Sequence, residues 1–400
     1  MKIGIIREEK NPPDRRVPLS PEQCRDIVKK NNIDLYVQTS ANRCFEDEEY
    51  KSLGLKVVDD VSHCDILLGV KEVPINSLIN DKTYFFFSHT IKAQAYNRDL
   101  LKSILRQNIK LIDWETLTND SGQRLIAFGR FAGMVGAHNA LWTYGRRTGH
   151  FDLKRMVDCK DYAEAKAMYA NLDLPPVKIV LTGSGRVANG SAEVLKDMGI
   201  AEVSADDFIS NNYDHPVYTQ LSVQEYVKRK DNQPFTNEDF YNNPSLFEDN
   251  FAPYTQQSDI FINGIYWDNE APAFFTVNDM KEPSFRIKVI ADVTCDIAPV
   301  SSVPSTLRPS TIDDPVYGFD PSQNTEVSPY QDHVVDIMAI DNLPNELPRD
   351  ASTSFGEQFI EFILPELLRH GQSSVISRAT ITDKGRLTEG YTYLQDFVNE

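Results

Sequence analysis

The sequence predicts an α/β fold in which parallel sheets are flanked by helices. Short apolar runs of strand length alternate with helix-like segments, and in the first half of the chain these runs are KIGII (2–6), DILLGV (65–70), YFFFSHT (84–90) and IKLIDWE (109–115). Strand, helix, strand alternation of this kind is typical of parallel sheets. The chain has 400 residues, which is long enough for two domains with separate cores.

Helix-like segments lie between and after these strands. IKAQAYNRDLLKSILRQN (91–108) follows the third strand, and FAGMVGAHNALWTYGRRTG (131–149) predicts a long connecting helix whose glycines mark places of close packing. Near the N-terminus, Ser20 is expected to cap a helix that has Pro21 at its first position.

A second series of strands follows Pro175-Pro176. It consists of VKIVLTG (177–183), SDIFINGIYW (258–267) and FRIKVIADVT (285–294). A polar, aromatic-rich insert, residues 209–257, separates the first two of these strands. Because it is long for a loop, we expect it to carry short elements or to cover a cleft.

The composition excludes several classes of protein. The net charge of −18 disfavours binding to the phosphate backbone of a nucleic acid, so no nucleic-acid partner is expected. No apolar run of about 18 residues is present, so no membrane span is expected, and the N-terminus lacks a secretory signal pattern. The five cysteines form no metal-binding spacing, which favours reduced thiols, no metal site and a cytoplasmic location.

The strongest motif is a glycine turn that follows the strand at 177–183. Gly183, Gly185 and Ala188 form a GxGxxA pattern between an apolar strand and an amphipathic helix. Gly183 permits a sharp turn, Gly185 lets the backbone approach a pyrophosphate, and Ala188 lets the helix pack on the sheet. The pattern predicts a dinucleotide site at the helix N-terminus.

The choice between NAD and NADP stays open at this stage. Asp206 lies about 20 residues beyond the turn, where an acidic residue would bind the ribose hydroxyls and favour NAD. The same stretch suits a tight turn with a helix cap equally well. Arg186, inside the glycine turn, could instead contact a phosphate.

Polar side chains follow two strands of the first half at their carboxyl ends. Lys71 and Glu72 follow one strand, and Ser88, His89 and Lys92 follow the next. Open α/β sheets bind ligands at this edge, and a lysine and a histidine that meet there can act as general acid and base. The alternative, given equal weight, is an exposed lysine on a loop and a histidine whose hydrogen bonds are satisfied inside the fold.

Charged residues elsewhere in the first half are weaker candidates. Arg16 precedes the helix that begins near Ser20, where an arginine could bind a carboxylate, although an arginine alone is more often a surface charge. Glu115 and Arg124 follow the fourth strand and are equally compatible with solvated positions.

Eight stretches together resemble the superfamily of alanine dehydrogenases, transhydrogenases and saccharopine dehydrogenases, and within it the lysine-forming saccharopine dehydrogenases. They span nearly the whole chain. In chain order they are KIGIIREEKNPPDRRVPLSPE, GVKEVP, FFFSHTIKAQ, GQRLIAFGRFAGMVGA, GSGRVANG, FINGIYW, ADVTCDIAPVSSVPSTLRPSTIDDPVYGFDP and IDNLPNELPRDAS. The resemblance implies two Rossmann-like domains with an interdomain cleft. On this basis we predict a discontinuous substrate domain, residues 1–135 plus 325–400, and a dinucleotide-binding domain, residues 136–324.

The resemblance also implies roles for individual residues. Lys71 and His89 are expected to form the acid–base pair, Arg16 to bind a substrate carboxylate, and Asp292 to lie near the nicotinamide and the substrate. The remaining implied positions are a polar substrate-binding shell of Glu72, Lys92, Gln94, Glu115 and Arg124, and a pyrophosphate site of Gly183, Gly185 and Arg186.

The implied activity is the NAD(P)-dependent reduction of the imine of lysine and 2-oxoglutarate to saccharopine. Fungal members have a cysteine in the glycine turn where this chain has Ala188, so redox control through that residue is not expected. No saccharopine-cleaving domain is expected, because the sequence ends at Glu400. An alanine dehydrogenase-like enzyme and a non-catalytic NAD(P)-binding regulatory protein remain the alternatives, and the oligomeric state is unknown.

Overall fold

The computed structural model describes residues 1–369 and 373–400, which divide into two compact units. The first unit is Met1–Phe128 with Pro348–Glu400, and the second is Gly129–Leu347. The boundaries between the units lie at 128/129 and 347/348, whereas the predicted domain boundaries lie at 135/136 and 324/325. None of the helices in the described ranges has the length and apolar character needed to cross a membrane.

The first unit contains an eight-stranded sheet. Numbered along the whole chain, its strands are β1 (Lys2–Ile5), β2 (Asp34–Gln38), β3 (Lys56–Val58), β4 (Ile66–Leu68), β5 (Thr83–Phe86), β6 (Lys110–Asp113), β17 (Thr380–Asp383) and β18 (Arg386–Leu387). They lie in the order β18-β17-β6-β5-β4-β1-β2-β3. Strands β1 to β6 are parallel, while β17 is antiparallel to β6 and β18 is antiparallel to β17.

Helices pack around this sheet. They are α1 (Pro21–Asn31), α2 (Asp47–Ser52), α3 (Arg98–Arg106), α11 (Pro348–Gln358), α12 (Leu364–Leu367), α13 (Ser374–Ala379) and α14 (Gln395–Asn399). A π-helical turn, Phe359–Ile363, joins α11 to α12. Pro365 follows this turn and has no backbone N–H to donate, which accounts for the irregular hydrogen bonding there.

The predicted cap of the first helix is confirmed. Ser20 Oγ accepts a hydrogen bond from Gln23 N at 3.3 Å, and Pro21 is the first residue of α1. Two further hydrogen bonds join this region to α11: Gln23 Nε2 donates to Thr353 O at 2.7 Å, and Val17 N donates to Ser352 Oγ at 2.9 Å. Residues more than 300 positions apart therefore hold the same part of the unit together.

The predicted helix at 91–108 is wrong over its first seven residues. Helix α3 begins only at Arg98, after two short 3₁₀ turns at Thr90–Lys92 and Ala95–Asn97. His89 and Ala93 have φ angles of 54° and 49°, and this left-handed backbone interrupts a continuous right-handed helix.

The second unit contains another eight-stranded sheet and a separate hairpin. The sheet strands are β7 (Lys178–Thr182), β8 (Ala201–Glu202), β9 (Val217–Leu221), β12 (Ile260–Asn263), β13 (Val289–Asp292), β14 (Tyr317–Asp320), β15 (Thr325–Val327) and β16 (Val335–Met338), and the hairpin strands are β10 (Val227–Arg229) and β11 (Phe247–Asp249). The sheet order is β15-β14-β16-β13-β12-β7-β9-β8. Only β14 and β15 are antiparallel to their neighbours. The predicted α/β fold with two mostly parallel sheets is confirmed.

Seven helices belong to the second unit: α4 (Gly129–Thr148), α5 (Tyr162–Tyr169), α6 (Arg186–Asp197), α7 (Ala205–Ser210), α8 (Val223–Tyr226), α9 (Asn237–Asn242) and α10 (Ala252–Thr255). The long predicted helix is α4, and it packs closely on α6 through glycines, as predicted. A Cβ atom on Gly133 would lie 1.8 Å from Val187 O, and one on Gly190 would lie 2.0 Å from Arg130 O.

The predicted insert at 209–257 contains short elements, which was one of the two expectations. Its first part is β9, which pairs with β7 inside the main sheet and is therefore part of the sheet itself. The rest carries α8, the hairpin of β10 and β11, α9 and α10. Several of its aromatic residues are buried in the core of the unit, among them Tyr226, Phe240, Phe247 and Phe251.

Candidate functional site

Three loops of the first unit leave the carboxyl edge of its sheet side by side. They follow β1, β4 and β5, which are adjacent and parallel, so the residues after them meet at this edge. Their polar residues include Glu8 after β1, Lys71 after β4 and His89 after β5.

Lys71 is half-buried, and its ammonium makes no hydrogen bond or ion pair with any residue in the described ranges. Burial, together with the nearby charges of Arg16 and Lys10, lowers the pKa of Lys71 from 10.5 to about 8. An amine with a pKa near 8 can exchange protons close to neutral pH.

His89 and Glu72 are joined by a short hydrogen bond. His89 Nδ1 lies 2.5 Å from Glu72 Oε1, and Lys10 Nζ donates to Glu72 Oε2 at 2.9 Å. Burial alone would raise the pKa of Glu72, but the hydrogen bonds and charge of His89 and the hydrogen bond from Lys10 outweigh it and hold this pKa at about 2. Glu72 is therefore an anion with both oxygens bound, and Nε2 is the histidine nitrogen left for chemistry.

The turn that carries His89 is held by buried polar contacts. Ser88 donates to Asp113 Oδ2 through both its backbone N at 2.8 Å and its Oγ at 2.5 Å. Asn97 Nδ2 donates to the carbonyl oxygen of His89 at 3.3 Å. These contacts stabilise the left-handed backbone of His89 and so fix the direction of its ring.

Glu8 is a candidate that the sequence reasoning missed. Its carboxylate accepts hydrogen bonds from the backbone N–H groups of Val70 at 2.6 Å and Lys71 at 2.9 Å. Burial raises the pKa of Glu8 from 4.5 to about 8. The signal was present, because Glu8 follows β1 at the same edge at which Lys71 and His89 follow β4 and β5.

Arg16 is almost fully buried, with 3% of its surface exposed. Its Nε and Nη2 donate to the two oxygens of Asp14 at 3.0 and 2.6 Å, and its guanidinium lies 4.3 Å from the centre of the Phe128 ring. Asp14, which is also buried, was not among the predicted residues. The arginine is rigidly positioned by these contacts, and its predicted role in binding a substrate carboxylate stays a prediction.

The predicted polar shell separates into two groups within the first unit. Lys92 and Gln94 are exposed on the 3₁₀ segment after His89. Arg124 Nη2 donates to Glu115 Oε1 at 2.7 Å, and within the described residues the buried Glu115 Oε2 has no hydrogen-bond partner. Glu115 therefore keeps one acceptor available for a ligand.

The glycine turn of the second unit is tight at Gly183 and open beside Gly185. Gly183 has a φ of 106°, and a Cβ there would lie 2.8 Å from Gly264 O. Gly185 caps α6, and a Cβ there would meet nothing within 4 Å, so the space beside this backbone is open. Ala188 is buried and Arg186 is exposed in the first turn of α6, whose N–H groups lack helical partners.

Asp206 does not follow the strand that lies next to β7. It lies in the first turn of α7, where Ser204 Oγ accepts from Asp207 N, and α7 follows the edge strand β8. On the side away from β12, the neighbour of β7 is β9, and the residue after β9, Ser222, is the N-cap of α8. The helix cap is thus the observed local structure, and a ribose contact by Asp206 stays a prediction.

Asp292 ends β13 and is fully buried. Its carboxylate accepts from Asn263 Nδ2 at 3.0 Å, Thr294 Oγ1 at 2.7 Å and Thr306 Oγ1 at 2.6 Å. Asn263 ends β12 and also accepts from Thr182 Oγ1, at the end of β7, at 3.1 Å. Burial raises the pKa of Asp292, and this network joins the carboxyl ends of three neighbouring strands behind the glycine turn.

The class of protein follows from comparison with known families and structures. Residues 4–135 match the family described as alanine dehydrogenase/PNT, N-terminal domain. An L-alanine dehydrogenase structure superposes with a TM-score of 0.68 at 16% identity, covering 99% of this chain and 100% of that chain. The second comparison establishes the shared fold, and the first confirms the predicted resemblance to this superfamily over residues 4–135.

Individual relatives confirm the narrower resemblance. The alpha-aminoadipic semialdehyde synthase of Arabidopsis thaliana is 30% identical over 98% of this chain and 41% of the relative. The saccharopine dehydrogenase [NAD(+), L-lysine-forming] of Emericella nidulans is 28% identical over 91% of each chain. The chain thus spans less than half of the plant protein but almost the whole of the fungal one.

Proposed function

We propose that this chain is a nicotinamide-dependent amino-acid dehydrogenase that forms saccharopine from lysine and 2-oxoglutarate. The observation that carries the proposal is the half-buried Lys71 ammonium, which has no hydrogen-bond partner in the described ranges and a pKa lowered to about 8. It is adjacent to the Glu72 carboxylate that holds His89. The substrates are proposed from the names of the relatives that align over 91% or more of the chain.

The two candidate proton-transfer groups suit the chemistry of imine formation. The side-chain ammonium of lysine must lose a proton before it attacks the keto carbon of 2-oxoglutarate, and the resulting carbinolamine must lose water. Both steps need a group that exchanges protons near neutral pH. In this proposal Lys71 and His89 Nε2 are those groups, since Nδ1 of His89 is bound to Glu72.

The charges of the proposed substrates match the candidate side chains. Lysine and 2-oxoglutarate carry three carboxylates between them, for which Arg16, Lys92 and Arg124 are the proposed partners. The Glu72 carboxylate is already bound through both oxygens. We therefore assign the substrate ammonium to Glu115, which has an unpartnered oxygen within the described residues.

The glycine turn is the proposed binding site for the dinucleotide. When bound, NADH or NADPH supplies the hydride that reduces the imine. Gly183, Gly185 and the first turn of α6 hold the pyrophosphate, and Asp292 anchors the neighbouring strand ends. The name of the fungal relative specifies NAD(+), while Arg186 is exposed where it could bind a further phosphate, so both cofactors belong in the test.

The experiment is a set of parallel assays with purified protein. Loss of NADH or NADPH absorbance is followed with lysine plus 2-oxoglutarate and, separately, with pyruvate plus ammonia. We expect turnover only with the first pair. Turnover with pyruvate and ammonia would instead support an alanine dehydrogenase-like activity, for which the family match of residues 4–135 is the supporting observation. Dinucleotide binding without turnover would support a non-catalytic protein.

A further inference from the structure

We propose that the second unit binds a single internal water molecule between α4, the 3₁₀ turn Met156–Asp158 and the 3₁₀ helix Leu343–Glu346. The site is formed by the side chains of Asn139, Arg155 and Glu346, which meet at one carboxylate oxygen. Asn139 Nδ2 donates to Glu346 Oε1 at 3.1 Å, and Arg155 Nη2 donates to the same oxygen at 2.9 Å. The proposal does not depend on the reaction proposed above.

These three side chains also carry buried polar atoms that have no hydrogen-bond partner. Among the residues that the structure describes, eight buried side-chain atoms lack a partner, and three of the eight are Asn139 Oδ1, Arg155 Nε and Glu346 Oε2. Each of the three belongs to the same amide, guanidinium or carboxyl group as an atom of the shared contact, so all three lie around Glu346 Oε1. Because unpaired buried polar groups are costly, three of them in one place indicate a bound partner.

The chemistry of the three atoms selects a small neutral ligand. Arg155 Nε carries an N–H that can only donate, while Asn139 Oδ1 and the ionised Glu346 Oε2 can only accept. A cation would lie against the guanidinium, and an anion would lie against the carboxylate. A water molecule can accept one hydrogen bond and donate two, and buried water typically makes about three hydrogen bonds to groups of this kind.

The frame around the site is fixed by other contacts. Arg155 Nη1 donates to Ile312 O at 2.7 Å. His138, the neighbour of Asn139 on α4, is fully buried and has its Nε2 2.8 Å from Lys154 O, which ties the chain just before Arg155 to the helix. The three side chains therefore have little freedom to turn and pair with one another.

A proton on Glu346 is the alternative to water. Burial raises the pKa of Glu346, while Arg155, Asn139 and the backbone N–H of Val157 act against the rise. A neutral carboxyl group could donate from Oε2 to Asn139 Oδ1, which would satisfy both oxygens. It would leave the N–H of Arg155 Nε unpaired, whereas one water molecule satisfies all three atoms.

The water molecule joins segments that are distant in sequence. Glu346 ends the 3₁₀ helix that comes after β16, and Leu343, at the start of this helix, lies against α4, since a Cβ on Gly136 would be 3.8 Å from Leu343 Cδ1. The same helix α4 packs on α6. The site therefore holds the chain after β16 against the helix that positions α6.

The direct test is a crystal structure of the full chain at a resolution that shows ordered water. We expect one density peak at about 2.7–3.2 Å from each of Asn139 Oδ1, Arg155 Nε and Glu346 Oε2. The proposal is overturned if no peak bridges the three atoms, or if the peak has the density and distances of an ion. It is also overturned if Glu346 Oε2 lies within hydrogen-bond distance of Asn139 Oδ1, because a proton would then take the place of water.

A second measurement counts internal water molecules in solution by oxygen-17 magnetic relaxation dispersion. Asn139→Leu removes one acceptor and keeps a similar volume, so we expect one long-lived water molecule fewer than in wild type. Thr143→Val is the matched control, because Thr143 is buried one turn further along α4 and donates to Asn139 O at 2.7 Å, away from the site. It should keep the wild-type number.

An unchanged count in Asn139→Leu would overturn the proposal. An equal loss in Thr143→Val would do the same, because any buried polar substitution on α4 would then have the effect. The crystal structure needs no variant, so it decides between water and a proton even if Asn139→Leu does not fold.

Discussion

Lys71 has a half-buried ammonium with no ion-pair partner in the described ranges. This arrangement does not by itself stabilise the fold. Burial penalises the charged form, and Arg16 and Lys10 add to the penalty, so the pKa of Lys71 falls to about 8. Glu8, held against the backbone of Lys71, has a pKa raised to about 8. Perturbed groups that converge at one sheet edge are typical of a site where protons are exchanged.

Replacement of Lys71 is the direct test of this residue. In Lys71→Met we expect turnover with lysine and 2-oxoglutarate to fall by about 10²–10⁴-fold, because one proton-transfer group is removed. Dinucleotide affinity, measured by the fluorescence of bound NADH or NADPH, should stay unchanged. Lys29→Met is the matched control and should keep full turnover. Equal turnover in both variants would make Lys71 an ordinary loop lysine.

For individual residues, the sequence identifies candidate side chains better than it identifies the groups to which they hydrogen-bond. Lys71 and His89 could be predicted because each directly follows an apolar run, which places it at a strand end. The contact of Lys10 with Glu72 could not, because it depends on the order of β1, β4 and β5 in the sheet. Asp14 was visible beside Arg16 in the sequence, but nothing there indicated that the two are buried together.

Among the helices and strands, α4 and α6 pack so closely that glycine is required where they touch. Gly133 and Gly190 each lie directly against a backbone carbonyl of the other helix. Because α6 begins at the glycine turn, this contact also fixes the position of the first turn, which is the proposed phosphate site.

Gly133→Ala tests this requirement. The added methyl group would lie 1.8 Å from Val187 O, so the helices must move apart. We expect a loss of about 1–3 kcal/mol in the free energy of unfolding, measured by denaturant titration. Gly390→Ala is the control, since a Cβ there meets nothing within 4 Å, and it should change stability by less than about 1 kcal/mol. A Gly133→Ala variant as stable as the control would contradict the assigned packing.

Some strands could be predicted from the sequence and others could not. The strands at KIGII, DILLGV and VKIVLTG are continuous apolar runs, and they could be predicted because both faces of a parallel sheet are buried. Strand β9, VYTQL, contains two adjacent polar residues, Thr219 and Gln220, and lies within a polar segment, so it was included in the insert. Its position beside β7, which only the sheet order reveals, weakens the case for Asp206 as the ribose ligand.

For the whole molecule, the important feature is that one unit is continuous in sequence and the other is not. The second unit, Gly129–Leu347, has its own sheet and its own aromatic core. Units with these properties can in principle fold alone.

We expect residues 129–347, expressed alone, to unfold cooperatively on heating and to bind a dinucleotide. The measurements are circular dichroism and titration with NADH or NADPH. The fragment 136–324, which follows the predicted domain boundaries, is the comparison. It lacks Gly133 and β16, the strand between β14 and β13, so we expect no cooperative transition from it. The reverse result would favour the predicted boundaries.

The hydrogen bond between Val17 and Ser352, and the pairing of β17 with β6, have a consequence for the order of events during synthesis. Domains generally fold as units while the chain emerges from the ribosome. Here the unit that starts first must wait for residues 348–400, whereas the second unit is complete before they appear. During that interval β6 is an open sheet edge, and such edges can pair with other chains. The nascent protein is therefore most exposed to misassembly after its second unit has folded and before its first unit can close.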